Sequence, residues 1–229
     1  SAAFICLAKT QKRPLRQLNR LSSGLCLKTA RRLSNYMDSM LKRCWGTTNP
    51  LYLKYHDEEW GVPVHEDRKL FEFLVLDSFQ AGLTWLLILQ RRDSFRIAFD
   101  NFNPEKISKY TSRDVERLME TPNIVRNQLK IKAAINNAEK FLEVKKELGS
   151  FNDYVWGFVN GKTIHNSFAT LEDLPAETEA SRAMSQDMKK RGFKFVGPTI
   201  CYAFMQAAGL VNDHLQFCFR YKQIKESKL

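Results

Sequence analysis

Three observations predict an all-α fold: a strong helical period in the middle of the chain, a scarcity of alternating strand patterns, and breakers that cut the apolar stretches into helix-sized pieces. From residue 129 to 142, Ile131, Ala134, Ile135, Ala138 and Leu142 recur at i, i+3, i+4 and i+7, while Lys130, Lys132, Asn136, Asn137, Glu139 and Lys140 fall on other faces. That is the pattern of an amphipathic helix. Further helices are predicted at about 66–80, 84–99, 112–120, 152–159, 179–191 and 198–209. Pro104, Pro122, Gly149, Gly161, Pro175 and Gly197 separate them, as residues that stop helices or turn the chain should.

A chain of 229 residues with 44% hydrophobic and 12% aromatic content can bury a substantial core, as one domain or two joined lobes. The longest uncharged stretch of the apolar middle, Ser78 to Gln90, is too short to cross a bilayer, which takes roughly 20 apolar residues. The protein is therefore expected to be soluble, with no membrane partner. The net charge of +11 is unevenly spread: residues 1–40 hold eight Lys or Arg against Asp38 alone, and the 28 basic and 24 acidic residues beyond them leave only +4. DNA affinity would have to come from local clusters such as "KKRGFK" at 189–194. Cys6, Cys26, Cys44, Cys201 and Cys218 are too few and too scattered for a disulfide framework, which fits a reducing compartment. Residues 1–40 read as a basic extension, a transit-peptide-like leader or a flexible tail, ahead of a compact domain at 41–229.

Several constellations carry chemistry. Glu72 can pair with Arg68 one turn earlier and face water. Asp77 shares a helix face with Leu70, Phe73 and Leu74, where a carboxylate needs donors or raises its pKa; the other reading is a helix cap. Gly82 breaks two apolar helices just before Trp85, as a close-approach loop or as an ordinary turn beside a core tryptophan. Tyr52, Tyr55 and Trp60 crowd one segment and suit either a pocket for a flat ring or a core. "METPNIVRNQLK" reads as helix, tight turn, helix, with Asn123 in the turn and Arg126 and Lys130 beyond it, a shape that can hold a DNA phosphate. His214 and Cys218, at i and i+4, would project from one helical face as half of a tetrahedral metal site, and Cys44 with His56 would supply the other half.

Taken in order, "KRC" at 42–44, "PLYLKYHDEEWGVP" at 50–63, "LFEFLVLDSFQAGLTW" at 70–85 and "KKRGFKFVGPTICYAFMQAAGLVNDH" at 189–214, with Cys218 after them, resemble the DNA-3-methyladenine glycosylase I, or Tag, family over about 41–219. The resemblance implies a two-lobed helix-hairpin-helix glycosylase-like fold with a base pocket between the lobes. It implies excision of 3-methyladenine from alkylated double-stranded DNA, without lyase activity, by a monomeric enzyme. A structural zinc on Cys44, His56, His214 and Cys218 would sit far from the chemistry. Tyr55 would hydrogen-bond the base, Trp85 stack on it, Asp77 act as the pocket carboxylate, and Tyr52 and Trp60 line the wall. Ala81-Gly82-Leu83 would meet the minor groove. Two departures stand out. Asp77 occupies a position that the family usually fills with Glu, and a shortened segment after Cys44 puts Trp45 out of register with a common wall tryptophan. The departures leave a second reading, a non-enzymatic zinc-stapled module that binds DNA or damage. A bacterial-type cytoplasmic location is expected, with organellar targeting by residues 1–40 as the alternative.

Overall fold

Asn49 starts the first helix: its Oδ1 accepts from the N–H groups of Leu51 and Tyr52 at 3.0 and 3.2 Å, and Pro50 presets the first-turn φ. In this computed structural model, which describes residues 41–227, α1 is therefore Pro50–Glu58. The extension expected over residues 1–40 lies outside the described residues. Next come α2 (Asp67–Gln80), α3 (Trp85–Ala98), a 3-10 turn (Asp100–Phe102) and α4 (Pro104–Ile107). They are followed by α5 (Ser112–Glu120), α6 (Gln128–Leu148) and α7 (Phe151–Gly157). Then β1 (Ile164–His165), a 3-10 turn (Leu171–Asp173), α8 (Glu179–Lys190), α9 (Pro198–Ala207), β2 (Val211–Asn212) and α10 (Phe219–Glu226) complete the order. The seven expected helices are present, and the expected all-α class holds. The parallel β1–β2 contact, pairing Ile164 with Val211 and His165 with Asn212, was not expected and is too short to change it.

The central element is α2. Every residue from Leu70 to Phe79 is buried, because α3, α6, α7 and α9 all pack against it. A helix covered on all sides has no solvated stripe, and this corrects the expectation for Glu72. Its side chain is buried and paired not with Arg68 but with Arg92 (2.7 Å), Arg96 (2.8 Å) and Lys69 (3.3 Å). The phenyl rings of Phe79, Phe95, Phe99 and Phe102 form a continuous series, with neighbouring centroids 4.8–6.2 Å apart, so the core runs from α2 into α3.

The two ends of the described chain are drawn together at one crossing. Gly61 N–H donates to Gln206 O at 2.9 Å and Val64 N–H to Ala208 O at 3.0 Å. Gly209 lies against them at φ +72, where a Cβ would fall 2.3 Å from Val62 C. Only glycine fits there, both for its conformation and for its bulk. The α5–α6 hairpin forms as expected, with Asn123 at φ +59 in the turn, and Arg91 Nη1 of α3 pins it by donating to Ile124 O at 3.2 Å.

Candidate active site and metal-ligating cluster

Four helices and two loops surround a cavity of about 240 Å³. Tyr52 and Tyr55 come from α1, Trp60 follows its end, Asp77 and Gln80 come from α2, Trp85 opens α3, and Ala203 and Gln206 lie on α9. Trp45 and Leu174 complete the lining. The expected pocket residues Tyr52, Tyr55, Trp60, Asp77 and Trp85 are thus brought together. Tyr55 and Trp85 face each other with centroids 5.3 Å apart and planes inclined at 55°.

Trp45 is a correction. Despite the shortened segment after Cys44, its ring lies 4.8 Å from Tyr52 and 4.9 Å from Trp60, centroid to centroid, and it forms part of the wall. Gln80, Leu174, Ala203 and Gln206 were not anticipated. Gln80 lies one helical turn beyond Asp77, so a search along that face would have found it; Ala203 and Gln206 lie on α9, which held no candidate, and Leu174 comes from a loop. A second hollow of about 390 Å³ shares Gln80, Leu174, Ala203 and Gln206 and continues toward Gly82.

Asp77 does not cap a helix, since α2 runs on to Gln80 and the cap of α3 is Thr84, whose Oγ1 accepts from Leu87 N–H. Asp77 is 3% exposed, and neither its Oδ2 nor the indole Nε1 of Trp85 meets a hydrogen-bonding partner among the described residues. Burial pushes this carboxyl well above the ordinary range, against the pull of the Arg92 charge. Tyr55 is pushed up as well, by burial first and then by Asp77. A buried acceptor and a buried donor without partners, on two residues that line one aromatic-walled slot, are costly to the protein alone. A ligand that satisfies both would recover that cost.

The four expected DNA contacts divide. Gly82, at φ +77 with open space around it, and Asn123 and Arg126 lie exposed. Lys130 does not: its Nζ donates to Phe79 O at 2.9 Å and to Ala81 O at 2.6 Å, closing the C-terminus of α2. With its cation so committed, Lys130 is a strut for the Gly82 turn rather than a phosphate ligand. The 189–194 cluster is also partly committed, because Arg191 pairs with Glu147 and Asp187 at 2.8 Å each.

Cys44, His56, His214 and Cys218 meet, all buried, with their ligand atoms within 4.8 Å of one another. The route differs from expectation. No helix carries His214 and Cys218; His214 follows β2 in a loop and Cys218 caps α10, because the parallel strand pair takes the chain out of helix there. The sulfur-to-nitrogen distances are 3.4 Å for Cys44–His214, 3.5 Å for Cys218–His214 and 3.5 Å for Cys218–His56. Such spacings suit a tetrahedral site, in which imidazole and thiolate ligands stand roughly 2.0–2.3 Å from a metal. His56 Nδ1 is held by Asp57 Oδ1 at 2.7 Å and His214 Nε2 donates to Trp60 O at 2.9 Å, which fixes each ring with its other nitrogen facing the centre. Hydrogen bonds from Cys44, His214 and His56 pull the Cys218 thiol down, while the hydrogen bond to Cys218 and burial push that of Cys44 far up. A divalent cation is what allows two such sulfurs to ionise together. The cluster is not remote from the pocket, as expected, but one layer behind it: Trp60 packs edge-on against His214 at 4.6 Å, and Tyr55 immediately precedes His56.

The comparisons with known proteins agree with this geometry. A profile of the methyladenine glycosylase family matches residues 45–221. The chain is 47% identical over 182 residues to DNA-3-methyladenine glycosylase 1 of Escherichia coli strain K12, covering 79% of this chain and 97% of that one. It is 44% identical to the DNA-3-methyladenine glycosylase of Haemophilus influenzae, covering 78% and 97%. A solved 3-methyladenine DNA glycosylase I from Staphylococcus aureus superposes with a TM-score of 0.75 at 39% identity, covering 77% of this chain and 94% of that one. A variant of such an enzyme, solved in complex with 3-methyladenine, gives the same TM-score, covering 77% and 95%. With a helical frame, an aromatic slot around a buried carboxylate and matches over most of its length, the chain belongs to the methyladenine glycosylase family.

Proposed function

We propose that the protein excises 3-methyladenine from alkylated duplex DNA by hydrolysing the N-glycosidic bond. The observation that carries this reading is an aromatic slot lined by both Asp77 and Trp85, whose buried Oδ2 and Nε1 have no partner among the described residues. Methylation at N3 gives the adenine a formal positive charge and makes it a good leaving group, so the enzyme needs to extrude, hold and recognise the base more than to protonate it. Stacking on Tyr55, Trp85 and their neighbours is worth about 1–3 kcal/mol per base. A cationic ring at the edge of Asp77 returns that carboxyl to its ionised form and makes the contact charge-assisted. Among the described residues no lysine lines the cavity, so these residues offer the slot no amine for a Schiff base, which supports hydrolysis without strand cleavage. Gly82, Asn123 and Arg126 are assigned to the DNA backbone around the extruded nucleotide, and the protein is taken to act as a monomer.

The metal of the four-ligand cluster is proposed to be zinc, in a structural role. Two thiolates and two imidazoles suit its ligand preference and tetrahedral geometry, and four protein ligands leave no position for a reactive water. Residues 1–40 are proposed to be a separate basic extension preceding the glycosylase domain. Location in a bacterial-type cytoplasm is the simplest reading of the reduced cysteines, with organellar targeting by that extension as its rival.

The test is release of free base from methylated duplex DNA. The protein is expected to liberate 3-methyladenine, and Asp77→Asn is expected to lower kcat/KM about 10- to 100-fold, the worth of one hydrogen bond to a charged group. Binding to methylated DNA with no base released, and a gain of release in Asp77→Glu, would instead make the protein a damage-binding module.

A further inference from the structure

The parallel β1–β2 pair brings two polar side chains to α9, Asn166 from just beyond β1 and Asp213 from just beyond β2. Asp213 is 1% exposed. Its Oδ2 accepts from the Tyr202 hydroxyl and from Gln206 Nε2, the latter at 2.8 Å, and its Oδ1 accepts from Asn166 Nδ2 at 2.7 Å. Three donors thus meet the need of a buried carboxylate for hydrogen bonds. Gln206, in the last turn of α9, is held at two points. Its backbone oxygen accepts from Gly61 N–H at 2.9 Å. Its side-chain amide is turned by Asp213, because an ionised carboxylate can only accept, so the amide offers N–H and keeps Oε1 at its other end. That oxygen accepts no hydrogen bond among the described residues. Gln206 lines both the aromatic slot and the second hollow and is partly accessible.

We propose that Gln206 is a specificity-determining residue of the slot, its carboxamide oxygen reading an amino group on the base, and that Asp213 is the positioning residue that holds the amide in that sense. The proposal rests on reading the slot as the seat of the methylated purine. An exocyclic amine carries two N–H groups, and Asp77 and Gln206 give the slot two acceptors for them. An amide free to turn over would offer its NH2 as readily as its oxygen and would not tell a ring that carries an amine from one that lacks it. With Asp213 in place, turning over sets the amide oxygen against a carboxylate and takes one donor from buried Oδ2, which costs free energy. A base without the amine leaves the fixed oxygen unpaired, and a site built to hydrogen-bond a group rejects the analogue that lacks it.

The experiment titrates the parent and its variants with free 3-methyladenine and with 3-methylpurine, which lacks the amine, following tryptophan fluorescence. Samples are matched in metal content by elemental analysis, because Asp213 directly precedes His214. The parent is expected to prefer 3-methyladenine. Gln206→Met is expected to weaken 3-methyladenine about 10-fold, the worth of one hydrogen bond, and 3-methylpurine by less than about 2-fold. Asp213→Asn is expected to reproduce that selective loss, and the double variant to lose no more than Gln206→Met alone, since the first residue acts through the second. Equal weakening of both ligands in Gln206→Met, or none, overturns the proposal, and so do losses that add in the double variant. If Asp213→Asn fails to fold, proton NMR of the parent decides its role. A nuclear Overhauser cross-peak between the Gln206 side-chain NH2 and the Tyr202 ring is expected, because both donate to one oxygen, and its absence overturns the proposal. A parent that binds the two bases equally, or neither, overturns it as well. A parent that prefers 3-methyladenine yet releases none from methylated DNA defeats the excision reading instead, while the titrations still judge Gln206.

Discussion

At Asp77 the protein carries a cost in stability. A carboxyl buried without donors has a folded-state pKa above its unfolded one, so the folded state binds the proton more tightly. Stability is therefore lost as pH rises from the ordinary carboxylate range through the folded value. Asp77→Asn keeps the shape and removes the titration. It is expected to melt at a higher temperature than the parent at neutral pH and at nearly the same temperature near pH 4, about where an ordinary carboxyl titrates. Thermal melts at the two pH values check this, and a gain that is equal at both would contradict it. At the same scale, Lys130 and Arg126 should separate cleanly. Arg126→Ala is expected to reduce the salt slope of DNA binding by about one unit. Lys130→Met should leave that slope unchanged and cost about 1–3 kcal/mol in stability, because two carbonyls at the end of α2 lose their donor. Binding isotherms over a range of salt and denaturant melts read out the two effects.

The helices that sequence patterning located are those with a clear stripe or strong punctuation. The α6 helix has its apolar stripe, an Asn127 cap that accepts from Lys130 N–H, and Gly149 at φ +91 beyond its end. In contrast, α1 was overlooked although Asn49-Pro50 is a legible start signal, because its outer face is aromatic and lines a cavity instead of packing in a regular stripe. Glu72 was misplaced for a related reason: an i, i+4 partner is visible in sequence, whereas partners from α3 are not. The crossing of Gly209 under Val62-Pro63 belongs to this level too. Gly209→Ala forces a Cβ to within 2.3 Å of backbone at a positive φ. It is expected to destabilise the protein by more than about 3 kcal/mol or to prevent folding, which denaturation of the purified variant measures.

Over the whole domain, the four residues of the Cys/His cluster join α1 and the segment before it to the segment before α10, separated by more than 150 positions in sequence. Closing so long a loop restrains the unfolded chain strongly, so Cys218→Ser is expected to cost on the order of 4 kcal/mol and to lose the bound metal, read by elemental analysis and thermal melting. Because Trp60 leans on His214, the same change should also weaken base binding, which a cluster remote from the slot would leave untouched. Sequence by itself determined the helical class, the positions of seven helices, and which side chains have the chemistry for the slot and the cluster, since periodicity, breakers and residue type are local properties. Only the tertiary structure decided that Trp45 joins the wall, that Lys130 is spent on backbone carbonyls, that Glu72 is buried among cations, and that the Cys/His cluster stands directly behind the pocket. Each of those depends on what another element brings within a few ångströms, and that distance is set by packing of segments far apart in the chain.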